Sequence, residues 1–175
     1  MVETLRVNNL KKTYGGVEAV RGISFGVEEG SIFGLIGPNG AGKTTTFNII
    51  AGAEKPTEGT VLLNGEDITG LSTDSLYKIG LVRTFQLSHE YAKMTTLENL
   101  MVAASDQPGE KIFMNWFSPK SVADREKEVL GRALESLDFL GLTQVKNELA
   151  GNLSGGQKKL LELGRTMMTD AKLVL

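Results

Sequence analysis

The residues best placed to do chemistry lie between Gly37 and Thr44, in the string Gly-Pro-Asn-Gly-Ala-Gly-Lys-Thr. This fits the phosphate-loop pattern G-x-x-x-x-G-K-[ST]. Glycines carry no Cβ, so successive backbone N–H groups can converge on phosphate oxygens. The apolar run Ile32–Ile36 precedes the loop and a helical pattern over Gly42–Ala51 follows it. The N-terminus of that helix adds partial positive charge at the same point. Gly37, Asn39, Gly40, Gly42 and Thr45 are the expected cradle. Lys43 would reach the β- and γ-phosphates of a nucleotide, and the Thr44 hydroxyl would ligate Mg²⁺. The alternative for the string alone is a glycine-rich turn before a helix.

A second string, Leu153-Ser-Gly-Gly-Gln157, opens another helical pattern. Read structurally, Ser154 is an N-cap followed by two glycines. Read chemically, a hydroxyl, exposed N–H groups and a helix dipole make a second anion site. Glycine is the unusual component of the composition, at 21 of 175 residues, against roughly 7% in average proteins. Lys plus Arg total 19 and Asp plus Glu 21, so no basic field points to nucleic acid. There is no cysteine, which excludes disulfides and thiolate metal sites, and the single histidine, His89, leaves no zinc cluster and no His-based triad. No apolar run approaches the roughly 18 residues of a membrane span. Met1–Tyr14 lacks the hydrophobic centre of a secretory signal, so the expectation is a soluble chain that is not exported.

Strand patterns dominate the first third. They cover Leu5–Val7, Val17–Glu28, Ile32–Ile36 and Thr60–Leu63, the last followed by Asn64-Gly65, a type I′ turn signal. Ser72–Ile79 reads as a short helix ended by Gly80, and Leu81–Phe85 as a buried strand. From His89 onward the period becomes helical. Thr95-x-x-Glu98 is a capping box, with Leu97, Leu100, Met101 and Ala104 on one face. Asp106–Pro119, with Phe113, Trp116 and Phe117, reads as a loop or short packed insertion. A long helix over Ser121–Leu140 turns Ala133, Leu134, Leu137 and Leu140 inward, and Gly141 closes it. A further helix runs from Ser154 to Met168, and Leu173–Leu175 begins an apolar strand.

Together the two glycine strings resemble the nucleotide-binding domain of the ATP-binding cassette (ABC) family, and the resemblance spans the chain. It implies an α/β fold, a P-loop NTPase with an N-terminal antiparallel β subdomain and an inserted α-helical subdomain. On that plan residues 1–88 and 169–175 form the ATP-binding core, and 89–168 a mainly helical subdomain bearing the signature string. The resemblance also implies a homo- or heterodimer with ATP sandwiched between subunits. Ser154, Gly155, Gly156 and Gln157 of one subunit would close over the ATP held by the other, with Ser154 and Gly156 on the γ-phosphate. Tyr14, in Lys-Thr-Tyr-Gly-Gly, falls where the family stacks an aromatic on adenine. Gln86 matches the glutamine that touches Mg²⁺ and the attacking water, and that senses the membrane partner.

Val82-Arg-Thr-Phe-Gln86 and the run Tyr91–Ala103 are similar to the ATPase subunits of branched-chain amino acid importers, and less so to urea importers. The expected function is an ATPase docked on transmembrane permease subunits, peripheral to the cytoplasmic face of the membrane, with ATP and Mg²⁺ as cofactors. The alternatives are import of urea or another small polar solute, or a soluble non-transport ABC ATPase. Such proteins usually carry paired cassettes, a long coiled coil or a basic surface. The family also ends an apolar strand with a Mg²⁺-binding aspartate and a catalytic glutamate, followed later by a switch histidine. Ala171–Leu175 looks like the start of that strand, Asp170 precedes it, and His89 lies too early to be the switch. The expectation is a C-terminally truncated fragment that binds ATP but barely hydrolyses it.

Overall fold

The computed structural model describes residues 3–84, 90–105, 119–169 and 171–175, with the side chains of 119–121 left aside. These form two compact units, residues 1–83 with 172–175, and residues 84–171. The Asp106–Pro119 insertion falls almost wholly outside the described residues, as do Phe85, Gln86, His89 and Asp170.

In the first unit, β1 (Glu3–Tyr14) and β2 (Val17–Glu28) form a long antiparallel hairpin. Strand β3 (Glu58–Leu63) joins the other edge of β1 and turns into β4 (Glu66–Asp67), giving the order β2-β1-β3-β4. The β3–β4 turn is the Asn64-Gly65 pair, at φ 50° and 82°, the positive angles a type I′ turn demands. One face of this sheet is apolar. Leu5, Val7, Leu10, Val61 and Leu63 pack there with Ile49 and Ile50 of α1 (Lys43–Ile50). Helix α2 (Thr73–Lys78) contributes Leu76 to the same core. Burying a side chain of this size contributes about 1.5–3 kcal/mol, so α1 is held to the sheet mainly through its C-terminal turn. A separate parallel pair joins β5 (Leu81–Val82) to β6 (Leu173–Val174).

The second unit is helical. Helices α3 (Thr96–Val102), α4 (Pro119–Phe139) and α5 (Gly155–Met168) enclose Leu100, Val129, Ala133, Leu137, Leu161 and Met168. Buried Asn99 staples the approach to α3: its Oδ1 accepts from the Tyr91 N–H at 2.8 Å, and its Nδ2 donates to the carbonyls of Tyr91, Met94 and Thr95. The helix starts with a full capping box. Thr95 Oγ1 accepts from the Glu98 N–H, and Glu98 accepts in return from the Thr95 N–H at 2.7 Å.

That capping box has a pH consequence. The backbone N–H of Thr95, and then its hydroxyl, hold the Glu98 carboxyl below its ordinary value. A depressed folded-state pKa means the contribution is present above the unfolded pKa and fades as pH falls through the folded one. Protection of the α3 amides, taken relative to their intrinsic exchange rate at each pH, should therefore fall on acidification, and Thr95→Ala, which removes a cap worth about 1 kcal/mol, should flatten that response.

Two expectations are corrected. Ile32–Ile36 joins no sheet among the described residues, and Ile32 and Ile36 are 103% and 93% exposed. A strand exists only through its neighbours' hydrogen bonds, and although the Phe33 ring stacks on Phe25 at 5.0 Å, no described strand pairs with this backbone. Leu134 is 39% exposed rather than inward. Along this helix Val129, Ala133, Ser136 and Leu137 are the buried positions, and Leu134, about 100° round the axis from Ala133, falls outside the arc they cover. No helix among the described residues is long and apolar enough to cross a membrane.

Candidate functional site

The Gly37–Thr44 string folds as the turn that leads into α1. Gly42 is its hinge. It stands at φ 82° as the residue before the helix, and a Cβ there would come within 2.3 Å of the Ala19 carbonyl oxygen and 3.1 Å of Val20. Strand β2 thus presses on the loop so closely that only glycine fits. This sets Lys43 as the first residue of the helix. Its ammonium donates to the carbonyls of Gly37 and Pro38, both at 2.7 Å, so the cation lies within the curl of the loop. Thr44 is exposed and Thr45 half-buried. Thr46, which the sequence alone did not single out, is buried, and its hydroxyl donates to the Gly42 carbonyl at 3.0 Å. That bond locks the start of the helix from inside.

Gly37, Asn39 and Gly40 are exposed around the cradle, with Gly40 at φ 82°. The ingredients of an anion site coincide here: a glycine loop, free N–H groups at a helix start and an enclosed ammonium. A triphosphate fits the donors here, the N–H groups at the helix start and the Lys43 ammonium, which would exchange its two loop carbonyls for phosphate oxygens.

Tyr14 belongs to the same unit, at the end of β1, and is 45% exposed. Its hydroxyl donates to the Glu54 carboxylate, whose other oxygen accepts from Asn48 Nδ2 at 2.7 Å. Lys12 holds its ammonium 4.9 Å from the ring centroid and donates to the Lys55 carbonyl. Because Asn48 lies on α1, hydrogen bonds tie the aromatic ring to the helix that starts at Lys43. Tyr14 is legible in the sequence, whereas Glu54 and Asn48 are not, since neither stands in a recognisable motif.

The Leu153–Gln157 string lies on the second unit. Ser154 caps α5 reciprocally: its Oγ accepts from the Gln157 N–H at 3.3 Å, and Gln157 Oε1 accepts from the Ser154 N–H at 2.9 Å. Gly155 and Gly156 are exposed and helical, and a Cβ on either would meet nothing within 4 Å. Glycine costs a helix about 1 kcal/mol relative to alanine, and no packing among the described residues demands it at these positions. Gln86 lies outside the described residues.

The loop, its helix and the antiparallel sheet beside them define a nucleotide-binding cassette of the P-loop class. Residues 20–175 match the ABC transporter family, and the chain belongs to it. It is 43% identical over 178 residues to the "Probable branched-chain amino acid transport ATP-binding protein LivG" of Archaeoglobus fulgidus, covering 99% of this chain and 66% of that protein. The ADP conformation of an ATP-binding cassette of an ABC transporter aligns with a TM-score of 0.80 at 39% identity, over 99% of this chain and 68% of the other. A dimeric post-hydrolysis cassette bound to ADP and Pi aligns with a TM-score of 0.72 at 27% identity, over 97% of this chain and 72% of the other. The chain thus spans about two thirds of the length of these relatives. The fold is the α/β P-loop fold of ABC ATPases, with an antiparallel β part and a helical part.

Proposed function

We propose that this chain is the ATP-binding part of an ATPase subunit that powers import of branched-chain amino acids. The observation that carries the nucleotide reading is the Gly42 hinge, which places Lys43 at the helix start with its ammonium inside the loop. The name of the Archaeoglobus relative supports the solute class.

In this reading the N–H groups of residues 37–44 bind the phosphates, and Lys43 spreads their charge. Thr44 and Gln86 are the residues that would hold Mg²⁺ together with the phosphates, and the ion would supply further charge neutralisation. Among the described residues no three His, Asp or Glu side chains cluster to hold a metal unaided. Tyr14 carries the adenine, and Gly37, Asn39, Gly40, Gly42 and Thr45 shape the pocket. Hydrolysis is an in-line attack of water on the γ-phosphate, in a dimer that brings up Ser154, Gly155, Gly156 and Gln157 from the opposite subunit. The open space around Gly155 and Gly156 and the dimeric cassette of similar fold support that arrangement. The subunit sits on the cytoplasmic face of the membrane, against a transmembrane permease, with residues 89–168 as the inserted helical subdomain.

The test is uptake in the organism that carries the gene. With Lys43→Ala in the gene, ATP-dependent accumulation of labelled leucine, isoleucine and valine should fall to background while urea uptake persists. Intact branched-chain uptake with lost urea uptake overturns the solute assignment. If neither changes and the protein co-isolates with ribosomes or DNA, it is a non-transport ATPase.

A further inference from the structure

The geometry points to Glu54 as the positioning residue of the base platform, fixing the Tyr14 ring relative to the phosphate loop. This rests on the reading of Tyr14 as the adenine-stacking residue. The ring lies at the end of a strand and is nearly half exposed, so on its own it would sample several rotamers. Stacking on a mobile ring is penalised by the entropy of ordering it. Here the hydroxyl is anchored on Glu54, and Glu54 is anchored twice on α1: its carboxylate accepts from Asn48 Nδ2, and its N–H donates to the Asn48 carbonyl at 3.2 Å.

The same short segment holds Lys12 through the Lys55 carbonyl at 2.6 Å, which keeps the ammonium over one ring face, so that a planar base would stack on the opposite one. Just beyond it, Thr57 binds β1 from both sides. Its N–H donates to the Lys11 carbonyl, and its hydroxyl accepts from the Thr13 N–H. The strand bearing Tyr14 and the helix that begins at Lys43 are therefore cross-braced at Glu54. The distance from ring to phosphate loop is set by hydrogen bonds rather than by chain flexibility. Glu54 touches neither base nor phosphate in this scheme. It acts through the orientation of Tyr14.

The test is calorimetric titration of the 175-residue chain and its Glu54→Ala, Tyr14→Phe and Tyr14→Ala variants with ATP and with inorganic tripolyphosphate, which lacks a base. Glu54→Ala should weaken ATP about three- to tenfold, the size of one net hydrogen bond, and change tripolyphosphate by less than about twofold. Tyr14→Phe keeps the ring and loses the anchor, so it should match Glu54→Ala. The Tyr14→Phe/Glu54→Ala double variant should be no weaker than either single one. Equal weakening of ATP and tripolyphosphate by Glu54→Ala overturns the proposal, because it shows damage to the phosphate loop instead. So do additive losses in the double variant, or no loss of ATP affinity at all. If Tyr14→Ala itself leaves ATP affinity unchanged, the base-platform reading fails and Glu54 falls with it. If Tyr14→Ala weakens ATP while Glu54→Ala does not, only the role of Glu54 is lost.

Discussion

Lys43→Ala should lower ATP affinity by about ten- to a hundredfold, the equivalent of the roughly 1.5–3 kcal/mol of a charge-assisted contact. The expectation follows from where the ammonium lies. It is half-buried at the first position of α1 and already hydrogen-bonded to two loop carbonyls, so reaching phosphate requires side-chain rotation and no rearrangement of backbone. The variant also removes two hydrogen bonds that help shape the loop, so part of the loss is lost preorganisation. Lys43→Arg separates the two contributions. It keeps the charge, but its planar fork does not match a site built for a compact ammonium. Calorimetric titration with ATP is the measurement. Unchanged affinity in Lys43→Ala would remove the phosphate-loop assignment altogether.

Ser154→Arg should abolish dimerisation driven by a non-hydrolysable ATP analogue while shifting monomer affinity for ATP by less than about twofold. The serine stands at the start of α5, on the second compact unit, whereas Lys43 and the glycine loop belong to the first. In the proposed dimer, a bulky cation at Ser154 would occupy the space assigned to the γ-phosphate held by the other subunit. The substitution also breaks the capping box with Gln157, at a cost of about 1 kcal/mol. Ser154→Ala is the control, because it loses the same cap without adding bulk. It should weaken the dimer without eliminating it. Light scattering with and without the analogue reads both outcomes. A large loss of ATP affinity in monomeric Ser154→Arg would place the serine on the same subunit's nucleotide and overturn the sandwich.

Local chemistry is what a sequence carries well, and the two glycine strings show it. A phosphate loop works through backbone N–H groups and one lysine held within eight residues, so its pattern and its function are the same object. The capping box at Thr95 and the N-cap at Ser154 are equally local and both are present, and in the structure Gln157, three residues on, completes a box at Ser154 as well. The Asn64-Gly65 turn follows from the positive φ that those two residues tolerate. Other features depend on partners far along the chain. Ile32–Ile36 has the composition of a buried strand, yet lies exposed here, because pairing is decided by which segments come alongside. Leu134 fits a helical stripe, but only the packing of α4 shows which arc of that stripe is covered. The brace at Tyr14 is the clearest case. Its hydroxyl meets a carboxylate forty positions away, which in turn meets an amide on α1. No spacing announces such a contact. The sequence by itself determined the local parts, a glycine loop with its lysine at a helix start and a capped glycine helix start. Only the tertiary structure decided what holds those parts in place, because long-range contacts come from folding and leave no periodic trace along the chain.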